Sequence, residues 1–203
     1  MTRDPIRLLK SLFPWPAEKP NVSERHERWF NRRKQILLRK VVPRDAKLVV
    51  ELGSWLGDST RWFCEWCPDA TVVAVDTWLG SAEHLLKKRS LLPVLHDTFL
   101  ANCWQYRDRL IPFRNTSLAA LNFLHELRLY PNVIYFDSDH SKHGLFAELV
   151  TATDHWLDSV FVGDDYEEGN SVAAAMGDFQ QWADYCYEIE TLHNTWYLKR
   201  DEE

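Results

Sequence analysis

Glycine is scarce, with only seven in 203 residues, and none of them completes a GxGxxG or a GK[ST]. The first pattern uses its middle glycine to admit a pyrophosphate and the second uses its lysine on a terminal phosphate, so a dinucleotide oxidoreductase and a P-loop enzyme are both disfavoured. Long apolar runs are also missing: none approaches the ~18 residues of a membrane-spanning helix. The opening IRLLKSLFPWP interrupts its short apolar stretch with Lys10 and has no small-residue cleavage site, which argues against a signal peptide. Cysteine amounts to Cys64, Cys67, Cys103 and Cys186. Cys64-x-x-Cys67 has no second pair, so neither a disulfide framework nor zinc is expected, and reduced, buried thiols of a cytoplasmic protein are the simple account. Basic charge is in deficit, 24 Lys and Arg against 30 Asp and Glu, a net charge of -6 that disfavours a nucleic-acid partner held by bulk electrostatics. Internal repeats and low-complexity segments are absent too.

What is present is organised around Leu48–Ser59, LVVELGSWLGDS, and the VVAVD that ends at Asp76. Leu48, Val49 and Val50 suit a strand buried on both faces. Gly53 and Gly57 allow a sharp turn and the close approach of a ligand. Ser59 opens a helix whose free N–H groups and positive dipole end face that turn. A second apolar strand, Thr71–Val75, ends in Asp76, where a carboxylate can accept from both hydroxyls of a ribose. The pair reads as a nucleoside site, with Trp55 and Trp78 as rigid apolar walls, while most of the ten tryptophans should be core.

Residues 1 to about 20 read as an arm, a short amphipathic piece broken by Pro14, Pro16 and Pro20. Asn21 and Glu24 have capping-box spacing for a helix over Val22–Lys40, with Trp29, Ile36 and Leu37 inward and Pro43 ending it, a cap placed to act as a lid. Its basic residues Arg25, Arg28, Arg32, Arg33, Lys34, Arg39 and Lys40 alternate with acids and apolar residues, as on a solvated helix face. Beyond it helices and strands alternate, the signature of a doubly wound α/β sheet. Helices are expected at Ser59–Trp66, Ser81–Lys88, His96–Tyr106, Leu118–Leu127, His143–Leu157 and Ser171–Ala183. Strands are expected at Leu110–Phe113, Asn132–Phe136 and Ser159–Val162, and Tyr185–Glu190 with Thr195–Lys199 should close the chain as an antiparallel hairpin. The division is thus an arm and cap helix over 1–45 and one domain over 46–203.

Asp137, Asp139, Asp164 and Asp165 fall at the ends of two strands that should be neighbours, where ligands bind such sheets. Close carboxylates raise each other's pKa unless a cation lies between them, and oxygen ligands of this kind select Mg²⁺, with Mn²⁺ or Ca²⁺ as alternatives. The plainer reading is helix capping, with Asp139 at the helix entering at Lys142 and Asp164 and Asp165 in a turn.

E-x-G-x-x-x-G-x-S followed by a strand-terminal acid resembles the cofactor motifs of class I methyltransferases that use S-adenosylmethionine. YFDSDH and VGDDY resemble the metal motifs of the Mg²⁺-dependent O-methyltransferases, including catechol and macrolide-sugar types. With AVDTWLGS, DTFLANCW, IPFRNTSLAAL and AAAMGDF between and after them, the resemblance covers roughly Leu48–Phe179. It implies a Rossmann-like, seven-stranded, mostly parallel sheet with an antiparallel closing hairpin. It also implies cofactor contacts from Glu51, Gly53, Trp55, Gly57, Ser59, Asp76, Thr77, Thr116, Ser117 and Asp137, metal ligation by Asp137, Asp164 and Asp165, and His140 as catalytic base. Asp158-Ser159 stands where the family usually has a two-glycine turn. The implied reaction is metal-assisted O-methylation of a small molecule, sugar-like or phenol-like, without nucleic acid or membrane, and with a homo-oligomer left open. The alternatives are a noncatalytic binder of S-adenosylmethionine and a glycosyltransferase using Asp137-x-Asp139.

Overall fold

The computed structural model describes residues 4–27 and 29–200, so Arg28 of the early basic run lies outside the described residues. A seven-stranded sheet runs in the order β3-β2-β1-β4-β5-β7-β6. Its strands are β1 (Leu48–Leu52), β2 (Thr71–Asp76), β3 (Leu110–Arg114), β4 (Val133–Phe136), β5 (Val160–Gly163), β6 (Tyr187–Leu192) and β7 (Thr195–Arg200). The first five pair in parallel, and β7 lies antiparallel between β5 and β6. Pro112 interrupts no inner ladder because β3 is an edge strand. The edge is covered in part by the arm, where Trp15 Nε1 donates to the Leu110 carbonyl at 2.7 Å.

The eight helices among the described residues are α1 (Pro5–Leu12), α2 (Lys34–Val41), α3 (Asp58–Trp66), α4 (Ala82–Lys87), α5 (Leu95–Cys103), α6 (Ser117–Glu126), α7 (Lys142–His155) and α8 (Ser171–Trp182). They cover both faces, and the alternating directions of strand side chains divide the core in two. Leu48, Val50, Leu52, Val73, Val75, Ile134 and Phe136 pack on α6, α7 and α8 through Leu121, Leu149 and Phe179, with Leu9 of α1 added. Val49, Val72, Ala74, Val133 and Tyr135 pack on α2, α3 and α5 through Leu38, Phe63 and Phe99. Because both faces are covered, the inner strands have no polar alternation to show.

Several expectations are corrected. The helix expected over Val22–Lys40 forms only at Lys34–Val41, and Trp29 and Ile36 are 48% and 45% exposed while Leu37 is buried. Tertiary partners take the backbone groups that a helix would have used: Arg25 N donates to Asn102 Oδ1, and Glu27 N to Asp58 Oδ2. The closing hairpin begins at Tyr187 rather than Tyr185, because Asp184 and Tyr185 have φ of +48° and +59° and turn the chain first. Trp62, Trp78, Trp156 and Trp196 are core, whereas Trp29 and Trp182 are about half exposed. Cys64, Cys67 and Cys103 are buried thiols, but Cys186 is exposed. No helix among the described residues is long and apolar enough to cross a membrane.

Candidate active site

The sheet reverses its order between β1 and β4, and their carboxyl ends open the crevice where ligands of such sheets bind. Gly53 stands there with φ +88°, and a Cβ on it would collide with the Asp137 backbone, so the turn after β1 and the loop after β4 meet without side-chain spacing. Gly57, at φ +84°, is needed for packing: a Cβ there would enter Cys103 and Phe99 of α5. The room that Gly57 makes is therefore taken by the protein's own core and not by a ligand.

Four groups meant for the cofactor line or underlie this turn. Glu51 is fully buried and accepts from Ser54 Oγ at 2.7 Å and from Thr60 Oγ1, while its Oε1 has no partner among the described residues. Burial pushes its carboxyl up to about 7. Trp55 Nε1 is likewise buried without a partner among the described residues, and Trp55 and Ser59 both border the crevice. An orphaned acceptor and an orphaned donor on either side of a tight turn suit a polar ligand bearing an amine and hydroxyls. Asp76 is less free than the sequence suggests. Its two oxygens accept the backbone N–H groups of Trp55 at 2.8 Å and Trp78 at 2.6 Å, and burial raises its pKa. A ribose would have to share those oxygens.

Thr77 Oγ1 accepts from Leu79 N at 3.3 Å, so it serves its own turn. Thr116 is the exposed N-cap position of α6 and Ser117 its first residue, just past the end of β3; neither borders the crevice, but the Ser117 hydroxyl is a partner of Glu148, which also holds Ser138 next to Asp137.

Over the crevice lies a strap, residues 24–27 and 29–33, between the arm and α2. Asn102 of α5 holds it by accepting from Arg25 N at 3.1 Å and donating to Arg25 O at 2.7 Å, and donates also to Leu56 O of the turn after β1 at 2.7 Å. Lys88 of the segment after α4 meets Glu27 at 2.6 Å. Trp29 stacks on Trp55 with ring centroids 6.0 Å apart, and Phe30 packs on Trp62 at 5.8 Å. With the strap down, the space between Trp29, Phe30, Gly53, Trp55 and Asp137 is about 40 Å³. That is far below the ~300 Å³ or more of sites that enclose small organic ligands, so this conformation is closed.

The acidic group is arranged differently from the sequence expectation. Asp139 is exposed, and its Oδ1 accepts from Ser141 N at 2.8 Å; Ser141, not Asp139, is the N-cap residue of α7. Asp139 is not in the group of clustered ligand atoms that Asp137 forms among the described residues, which disfavours the Asp137-x-Asp139 glycosyltransferase reading. Asp164 is buried, and its Oδ2 takes a hydrogen bond from Lys34 Nζ, a residue expected on a solvated helix face but only 9% exposed. Among the described residues, Asp137, His140 and Asp165 form the group whose ligand atoms all lie within 4.8 Å of one another. His140 Nε2 is 3.4 Å from Asp137 Oδ1 and 3.4 Å from Asp165 Oδ2. The bond to Asp137 and the surrounding carboxylates outweigh burial and raise His140 to about 9. The expected metal set of Asp137, Asp164 and Asp165 is thus not assembled as three free carboxylates.

Beyond His140 lies a second cavity of about 310 Å³, lined by His140, Asp165, Glu167, Asn170, Ser171, Val172 and Asn194. Lys34 and Glu148 are the participants the sequence did not single out. Glu148 of α7 is buried, accepts from Ser138 Oγ at 2.7 Å, and is pushed by burial up to about 7. Its position on the inner face of an expected helix was the available signal.

Strand order, switch-point crevice and acidic strand ends define a class I methyltransferase fold of the Rossmann-like kind. The chain belongs to the methyltransferase domain family, which it matches over residues 50–166. Among solved structures it is similar to the O-methyltransferase NovP, at 18% identity and a TM-score of 0.58, covering 84% of this chain and 77% of that one. The O-methyltransferase from Bacillus cereus in complex with SAH gives 16% identity and a TM-score of 0.57, covering 97% and 88%. CalS11, a TDP-rhamnose 3'-O-methyltransferase of calicheamicin biosynthesis, gives 16% and 0.53, covering 82% and 76%. At these identities the likeness is one of fold. No curated protein is similar enough in sequence to match.

Proposed function

We propose that this protein transfers the methyl group of S-adenosylmethionine to a hydroxyl oxygen of a small, polar, sugar-like molecule. One observation carries the reading: the closed crevice and the open cavity adjoin at the ends of β4 and β5. Asp137 and Lys34 border the first, His140 and Asp165 the second, with Asp137 3.4 Å from His140 and Lys34 3.8 Å from Asp165. A donor in the first and an acceptor in the second would approach each other across that junction. The structures of an SAH complex and of a sugar O-methyltransferase with the same fold support the choice of cofactor and acceptor.

When bound, S-adenosylmethionine supplies an electrophilic methyl carbon on a sulfonium. The turn at Gly53 would lie against it, Glu51 Oε1 would offer an acceptor for its amino group, and Asp76 and Trp55 Nε1 would offer partners for its hydroxyls. In the acceptor cavity, the side chains of Asn170, Ser171, Asn194 and Glu167 outnumber the lone apolar Val172, which favours a polyhydroxyl over a phenol. His140 takes the hydroxyl proton on Nε2, the oxygen forms its bond to the methyl carbon, and the carbon–sulfur bond breaks to leave a neutral thioether. Entry of the cofactor requires the strap to lift, so the cap works as a lid although it is not a helix. A magnesium ion on Asp137, Asp164 and Asp165 has no step in this reading, because the Lys34 ammonium already stands against Asp164 Oδ2 and near Asp165.

The test is His140→Ala assayed for methyl transfer to polyhydroxyl acceptors, with S-adenosylhomocysteine affinity measured in parallel. A loss of about 10²–10⁴-fold in rate with binding retained is expected of a general base. Unchanged turnover removes His140 from the chemistry, and a protein that binds the cofactor yet methylates nothing favours the noncatalytic binder.

A further inference from the structure

We infer that the Lys34 ammonium is the built-in cation of the aspartates at the ends of β4 and β5, standing where a divalent metal would have to bind. The methyl transfer proposed above then runs without a metal, and only that last clause rests on the functional reading.

Lys34 is the first residue of α2, and its side chain turns inward beside the crevice that Asp137 also borders. Its Nζ donates to Asp164 Oδ2 and lies 3.8 Å from Asp165 Oδ1. A buried ammonium is costly unless it is matched by buried anions, and buried carboxylates are costly unless matched by a cation. Each therefore accounts for the other, across 130 residues of sequence.

A magnesium ion needs carboxylate oxygens at ~2.0–2.1 Å in near-octahedral array. Here Lys34 bonds one Asp164 oxygen while the other, Oδ1, is buried without a partner among the described residues, and a dication reaching it beside Asp165 would lie against the ammonium. The remaining group, Asp137, His140 and Asp165, offers an imidazole in place of the third carboxylate, a ligand better suited to zinc or iron than to magnesium. A fixed ammonium can do what the metal would do for charge, since it places one positive charge and, beyond its bond to Asp164, up to two donors near the junction where the acceptor oxygen becomes anionic. It brings no open coordination positions, so acceptor recognition falls to the cavity wall.

The experiment titrates Mn²⁺ into wild type, Lys34→Ala and Lys34→Ala/Asp164→Asn, following free Mn²⁺ by electron paramagnetic resonance, with and without S-adenosylhomocysteine. Wild type is expected to leave the ion free in both conditions. Lys34→Ala is expected to bind it at least ~10-fold more tightly, because the aspartates then lack a counter-charge, and the double variant to lose that gain. Stoichiometric binding by wild type in either condition overturns the inference, as does a Lys34→Ala protein that binds no better than wild type. If circular dichroism shows Lys34→Ala unfolded, the wild-type titration and the double variant, whose charge is rebalanced, decide the matter: wild type free of Mn²⁺ supports the inference, and either protein binding it stoichiometrically overturns it. Calorimetric binding of S-adenosylhomocysteine reports on the methyltransferase reading separately.

Discussion

His140 lies between two carboxylates, so at neutral pH its imidazole is a cation and must lose a proton before it can accept one. Its pKa of about 9 places that loss on the alkaline side. The log of kcat/KM should therefore climb with pH and level off near 9, and Asp165→Asn should move the bend toward lower pH. A flat profile between pH 6 and about 9 is incompatible with His140 as the base. Glu148 makes an independent prediction about stability. Its carboxyl is held near 7 when folded against 4.5 when free, so the folded chain keeps a proton that the unfolded chain releases between those values. That contribution is fully present below 4.5 and is lost as pH rises through 7, to a limit of roughly 3 kcal/mol. Glu148→Gln should accordingly flatten the fall in melting temperature between pH 5 and 8 and be the more stable protein at pH 8; equal or lower stability there removes burial as the cause.

At the scale of elements, the strap is the part that moves in this account. Its hold on the body is a small set of polar contacts, of which Asn102 alone supplies two. Asn102→Ala should speed cofactor association in stopped-flow tryptophan fluorescence and cost about 1–3 kcal/mol of stability, since buried backbone groups lose their partners. An unchanged association rate would mean that the strap does not gate the crevice. The strap also marks where sequence reasoning reached its limit. The spacing of Asn21 and Glu24 is that of a capped helix, yet local propensity cannot register Asn102 and Asp58, which take up the backbone groups of Arg25 and Glu27 from elsewhere in the chain. Lys34 was hidden for the same reason: its partner is 130 residues away. By contrast, the turn after β1, the acid ending β2 and the helix–strand alternation were legible because they are contiguous and follow from period and glycine placement.

For the molecule as a whole, the readable part was the sheet. Apolar runs of the inner strands, helix–strand alternation and a closing hairpin pointed to the architecture without reference to any side-chain contact. The site was legible only in outline. Asp137, His140 and Asp165 do converge, but Asp139 serves a helix entrance, Asp164 pairs with a lysine and Gly57 serves packing. Such assignments depend on side-chain direction and on what else is charged nearby, which strand-end position does not carry. The central claim is that the crevice beside Gly53 opens to take an adenosyl cofactor. Calorimetric titration of the wild-type protein with S-adenosylhomocysteine tests it most directly: saturable binding at one site per chain, lost or strongly weakened in Asp76→Ala, is the expected result, and the absence of any binding heat at millimolar ligand would contradict it.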